Sequence, residues 1–97
     1  MIIIAGHLRV AAADRDEYLT AVRDVAVQAR RTAGCLDFVQ SADPAELDRI
    51  NVYERWQSDE ALMSFRTGSG EATPPLPTPD IISADVAKYR ISAVESP

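Results

Sequence analysis

Few side chains in this sequence are equipped for chemistry, and they are scattered along it. His7 is the single histidine and Cys35 the single cysteine. Imidazole is the only side chain whose unperturbed pKa lies near neutrality, so His7 is the candidate general base, or a group that orients a carbonyl or hydroxyl. It reads also as a hydrogen-bonded histidine in a core or at a subunit interface. Trp56 is the only tryptophan. Its indole offers a stacking wall for an aromatic ligand, and the same ring can anchor a core where a strand meets a helix. Tyr18 and Tyr89 can each place a phenol in a pocket, although most such tyrosines are structural. Cys35 lacks a neighbouring cation at a helix start that would activate its thiol. Asp14, Asp16 and Glu17 gather where a helix begins and complement its dipole rather than forming an acid/base pair. Gly68-Ser69-Gly70 follows a helix and is not succeeded by Lys-Ser/Thr, so it is no phosphate loop.

The same scarcity excludes whole classes of function. One cysteine forbids a disulfide framework, and one cysteine with one histidine cannot build the usual zinc sites. The chain carries 15 acidic and 10 basic residues, a net charge of -5. Such a surface is poorly suited to nucleic-acid phosphates or to an anionic membrane. The apolar start, Met1 to Gly6, is too short to cross a bilayer and lacks the form of a signal peptide. The expected location is the cytoplasm. With 97 residues, 46% of them hydrophobic, the chain is expected to form one domain, 1–97.

The elements that must position these groups follow from periodicity. Ile2 to Val10 is β-branched and then alternates, a strand. Asp14 with Glu17 three residues later is a capping-box-like start for an amphipathic helix of about 17 residues, which Gly34 closes. Cys35 to Ser41 and Arg49 to Trp56 are strands separated by an Asp43-Pro44 turn. Ser58 caps a shorter helix whose apolar stripe is Ala61, Leu62 and Phe65, ending near Gly68. Thr67 to Asp80 contains four prolines and two glycines, a long loop that reads as a lid. Ile81 to Ala93 is a last strand, long enough to bend or carry a bulge.

The order β-α-β-β-α-β predicts an α+β, ferredoxin-like fold with an antiparallel sheet ordered 4-1-3-2 and both helices on one face. A second copy packed on the bare face would complete a dimeric α+β barrel. On the third strand Tyr53 and Arg55 share one face, and Glu54 and Trp56 the other. The reading places Trp56 toward the helices and Arg55 at the interface or its rim.

The stretch Val52-Tyr53-Glu54-Arg55-Trp56-Gln57-Ser58-Asp59-Glu60-Ala61-Leu62 resembles the signature of the antibiotic biosynthesis monooxygenase family, in which Tyr/Phe-Glu-x-Trp ends a strand before a short capped helix. Gly34-Cys35-Leu36 and Lys88-Tyr89 extend the resemblance over nearly the whole chain. It implies a homodimer with a pocket in each subunit between sheet and helices. It further implies a monooxygenase that oxidises a small aromatic, polyphenolic or quinol-type compound with O2, without metal, flavin or haem. His7 matches the strand position where haem-degrading relatives carry a pocket asparagine and is the expected catalytic residue. Trp56, Phe65, Tyr18 and Tyr89 are the expected substrate-binding residues. The alternative within the fold is a small-ligand binding protein, or an isomerase or cyclase. Where many members carry a histidine in the second helix, this chain has Phe65, which argues against haem catalysis.

Overall fold

In the first strand every second residue is a large aliphatic, and this alternation decides which way the sheet faces. A computed structural model describes residues 1–67 and 78–97. Strand β1 (Ile2–Val10) is followed by helix α1 (Arg15–Arg31), strands β2 (Cys35–Ala42) and β3 (Arg49–Trp56), helix α2 (Asp59–Arg66) and strand β4 (Ile81–Arg90). The strands form one antiparallel sheet in the order β2-β3-β1-β4. This is the ferredoxin-like α+β arrangement, with the order expected from the sequence. The lid expected over Thr67 to Asp80 falls largely on residues 68–77, which lie outside the described residues.

Details at the element ends differ from expectation for physical reasons. A single 3-10 turn, Ala12–Asp14, leads directly into α1, so Asp14 already has helical dihedrals and its side chain makes no cap bond. Ser58 sits in extended conformation and its hydroxyl accepts from the Ala61 N–H at 3.2 Å, a true N-cap. The last strand stops at Arg90, shorter than expected, and the β1–β4 register slips between Arg9 and Val10.

The two sheet faces are now assignable. Ile2, Ile4, Leu8 and Val10 of β1 are buried under the helices, together with Ile50, Val52 and Trp56 of β3 and Phe38 of β2. They fall into two clusters. One holds Ile2, Ile4, Ala29, Phe38, Trp56 and Leu62; the other holds Leu8, Val10, Tyr18, Val22, Ile50 and Val52. Helix α1 contributes to both, and α2 to the first alone. The opposite face carries the odd-numbered residues of β1, β3 and β4 and stays open.

Between the clusters lies a seam. Gly6 sits on the helix-facing side of β1, between Ile4 of one cluster and Leu8 of the other. Its φ is 151°, and a Cβ there would run into the Asp85 carbonyl oxygen of β4. Glycine is therefore required for β1 and β4 to approach each other. Because it has no side chain, nothing from β1 fills the seam.

Candidate functional site

Strand β3 crosses the seam with three residues on the helix side, Val52, Glu54 and Trp56. Val52 belongs to one cluster and Trp56 to the other; Glu54, between them, belongs to neither. Antiparallel pairing sets Glu54 in a row with Phe38 of β2 and Ile4 of β1, and Ile4 pairs with Lys88 of β4. The site is thus a carboxylate set between an aromatic cluster and the gap left by Gly6.

The aromatic cluster is built from three elements. Trp56 is 0% exposed and lies in register with Ile2 and Cys35. Phe65, two turns into α2, lies over it with ring centroids 5.4 Å apart. Phe38 meets Phe65 edge-on at 5.9 Å. Phe65 is the partly exposed ring of the three, and Trp56 backs it. Gly34 (φ 87°) lets β2 begin tight against α2, where a Cβ would press on Ala61.

Glu54 is half-buried, and one of its oxygens, Oε1, accepts the Trp56 indole N–H at 3.0 Å. Its other oxygen, Oε2, has no hydrogen bond among the described residues. Burial pushes the Glu54 carboxyl above its ordinary pKa; the Trp56 N–H and the nearby charge of Arg66 on α2 partly oppose this. The Cys35 thiol is raised as well, mainly by burial and then by the charge of Glu54. It stays protonated and is not poised as a nucleophile.

The edge of the site is tied by charge. Asp59, the first residue of α2, accepts from Lys88 and from Arg90 Nη1 at 2.9 Å, both on β4. These contacts hold its carboxyl at a pKa of about 2. Helix α2 is thereby fastened to the edge strand across the mouth of the seam.

The structure brings some of the expected residues together and separates others. Trp56 and Phe65 meet. Tyr18 is buried in the other cluster, where its hydroxyl donates to Gln40 Oε1 at 3.0 Å. Tyr89 pairs with Ile3 and is 52% exposed on the open face. His7 is also on the open face, in a row with Asn51 and Asp85. His7 therefore takes the interface-side placement that the sequence left open beside a catalytic one in the helix-side pocket. Strand alternation puts Gly6 there, and one residue along a strand reverses the face. A candidate that sequence reasoning did not single out is Glu54. Its signal was its place two residues before Trp56 on the same strand. The signal was readable as a shared face, but a strand carboxylate is ordinarily solvated, so its burial could not be read.

The chain belongs to the antibiotic biosynthesis monooxygenase family, whose model matches residues 1–70. Solved structures agree at the level of the fold. A Deinococcus radiodurans protein assigned as an antibiotic biosynthesis monooxygenase superposes with a TM-score of 0.75 at 15% identity, covering 99% of this chain and 97% of that one. A Chloroflexus aurantiacus protein with the same assignment gives 0.70 at 21% identity, covering 98% and 96%. The haem-degrader MhuD from Mycobacterium tuberculosis, with two haems bound in its active site, gives 0.66 at 18% identity, covering 99% and 100%. No curated protein matches this chain in sequence.

The residues of this chain do not fit a haem. Helix α2 carries no histidine, and the ring it sends to the site is Phe65, packed on Trp56. The single histidine lies on the other side of the sheet, so no imidazole of the same subunit reaches iron held beneath the helices. Among the described residues no group of three or more His, Cys, Asp or Glu is placed to hold a metal ion. Among the described residues no helix is long and apolar enough to cross a membrane.

Proposed function

We propose that this protein is an oxidoreductase of the monooxygenase type. It takes a small aromatic, polyphenolic or quinol-type compound at the seam and oxidises it with O2, without metal, flavin or haem. The observation that supports this reading is the Phe65–Trp56–Phe38 cluster packed beside a half-buried carboxylate. An aromatic ligand lying against Phe65 gains edge or offset ring contact, and the apolar clusters on either side exclude water from it. For an anthrone-like substrate the overall change converts a ring CH2 to C=O. One oxygen atom of O2 enters the product and the other leaves as water. The chain's part is to bind the ring, help remove a proton and shelter the resulting anion.

The acting species in this reading is a homodimer, joined through the open face. Val39, Tyr53, Ala5 and Ala87 form a row across its middle. In the next row Arg55 has a buried Nε with no partner among the described residues. A second copy covers the small and aromatic row. The test of the activity is oxygen uptake with anthrone or a dihydroquinone, in chelator and without added flavin. Uptake with a ketone or quinone product supports the reading. Ligand recovered unchanged after saturable binding replaces it with a binding protein of the same fold.

A further inference from the structure

Among the described residues the seam contains one group able to take a proton, Glu54, and its two oxygens are not equivalent. Glu54 Oε1 is occupied by the Trp56 N–H at 3.0 Å, whereas Oε2 makes no hydrogen bond among the described residues. The indole is itself immobile, buried between Phe65, Ile2 and Cys35. The carboxylate is therefore held in one orientation on a rigid strand, the condition under which a base acts efficiently. No other titratable side chain meets these conditions. His7 is on the opposite face, Tyr18 is bonded to Gln40, and Lys88 is engaged by Asp59.

We propose that Glu54 is the proton acceptor of the site, with Trp56 as the positioning residue that aims its Oε2 at the acidic O–H or C–H of a bound aromatic. The inference rests on the reading that such a compound binds at the seam. In the step, the ligand's O–H or C–H bond breaks and an O–H bond forms on Oε2. The electron pair stays on the ligand as a phenolate or carbanion, and Glu54 becomes neutral. O2, the oxidant already named, then takes electrons from that anion.

The surroundings suit this role. Burial raises the carboxyl's pKa and so strengthens the base. Arg66 of α2 is the nearby charge, and it partly opposes the effect of burial. From β2 the titratable neighbour is Cys35, held neutral. Helix α1 presents Val25, Ala26 and Ala29 to this cluster, none of them titratable, and its Arg30 turns to the Phe38 carbonyl at 3.0 Å. On β4 Lys88 stands in the same row but is paired with Asp59.

The test uses anthrone as probe with the full chain, Glu54→Gln, Trp56→Phe and His7→Ala. Under argon, bound anthrone is followed by the long-wavelength absorbance of its anion; in air, oxygen uptake is recorded from pH 5 to 9. Wild type is expected to ionise the probe. Glu54→Gln, which retains an oxygen for the indole, is expected to lose that absorbance and roughly 10²–10⁴-fold in turnover. Trp56→Phe is expected to keep binding while its acid limb moves to higher pH, since a bond favouring the carboxylate is gone. His7→Ala is expected to ionise the probe as wild type does. Uptake by Glu54→Gln equal to wild type at every pH overturns the proposal and leaves the oxygenase reading standing. Glu54-dependent ionisation without uptake does the reverse. Absence of both in wild type removes both.

Discussion

Glu54 and Trp56 are two residues apart on one strand, and each constrains the other. The indole N–H needs an acceptor in a core that offers no water, and the carboxylate needs a donor to remain half-buried. Burial still leaves the carboxyl with a raised pKa, so folding favours its protonated form. The sign follows by linkage. As pH rises through the folded pKa, ionisation of Glu54 removes stability; below the unfolded value, about 4.3, the penalty is absent. Glu54→Gln should therefore melt above wild type at pH 7, with the gap closing near pH 4. Thermal unfolding at both pH values measures it, and a gap that does not change with pH contradicts the linkage. Trp56→Ala removes the largest fully buried side chain. It should cost about 3–5 kcal/mol in urea unfolding, because the hole it leaves lies between elements that cannot all close on it.

At the level of elements, two contacts fix how β4 sits against its neighbours. One is Gly6, where any Cβ meets the backbone of β4. A glycine-to-alanine change at a compatible position gains about 0.4–1 kcal/mol. Gly6→Ala should do the opposite, lowering the melting temperature and stripping amide protection from residues 84–87; an unchanged melt would mean that β4 moves aside freely. The other is the Asp59 contact between α2 and β4. Its carboxyl, brought to a pKa of about 2 by Arg90 and Lys88, lends stability above about pH 4 that is lost as pH falls toward 2. Asp59→Asn should flatten that part of the acid decline in melting temperature, and an identical decline would show the pairing to be idle. Much of this level was legible in the sequence. Period-2 and period-3.6 patterns located all six elements, and the Ser58 cap was visible as Ser followed by Asp-Glu. The face of His7 was not, because its reading leaned on a likeness of position rather than on the parity of Ile2, Ile4, Leu8 and Val10. Only the pairing of Ile2 with Trp56 joins that parity to the tryptophan's side. The burial of Glu54 was illegible for a different reason. It depends on Phe65 and Phe38 arriving from other elements, and no local pattern encodes that meeting.

For the whole molecule, the open sheet face is where the proposed homodimer would join. The face is less uniformly apolar than the runs of isoleucine and valine suggest. It has a central row of Val39, Tyr53, Ala5 and Ala87, flanked by His7, Asn51 and Asp85 on one side and Asp37 and Arg55 on the other. Such a mixture suits a paired surface with polar contacts at its margins. Light scattering at micromolar concentration should give twice the chain mass of 10.6 kDa. Ala5→Glu, which sets a charge in the central row without touching the helix-side core, should return the mass to that of one chain. A dimer that survives Ala5→Glu must join elsewhere.

Strand β4 makes the outer edge of the sheet, and every one of its ten residues is exposed in the single chain. It pairs with β1 along one side and has little apolar surface buried to hold it there. A segment with intact hydrogen bonds and little burial opens at low free energy, well below global unfolding. In deuterium labelling the isolated chain should therefore exchange Ile81–Arg90 far ahead of β1 and β3. Slow exchange of this strand would then report how much of the sample is assembled, and its rate against protein concentration would give the association constant without a label or an assay.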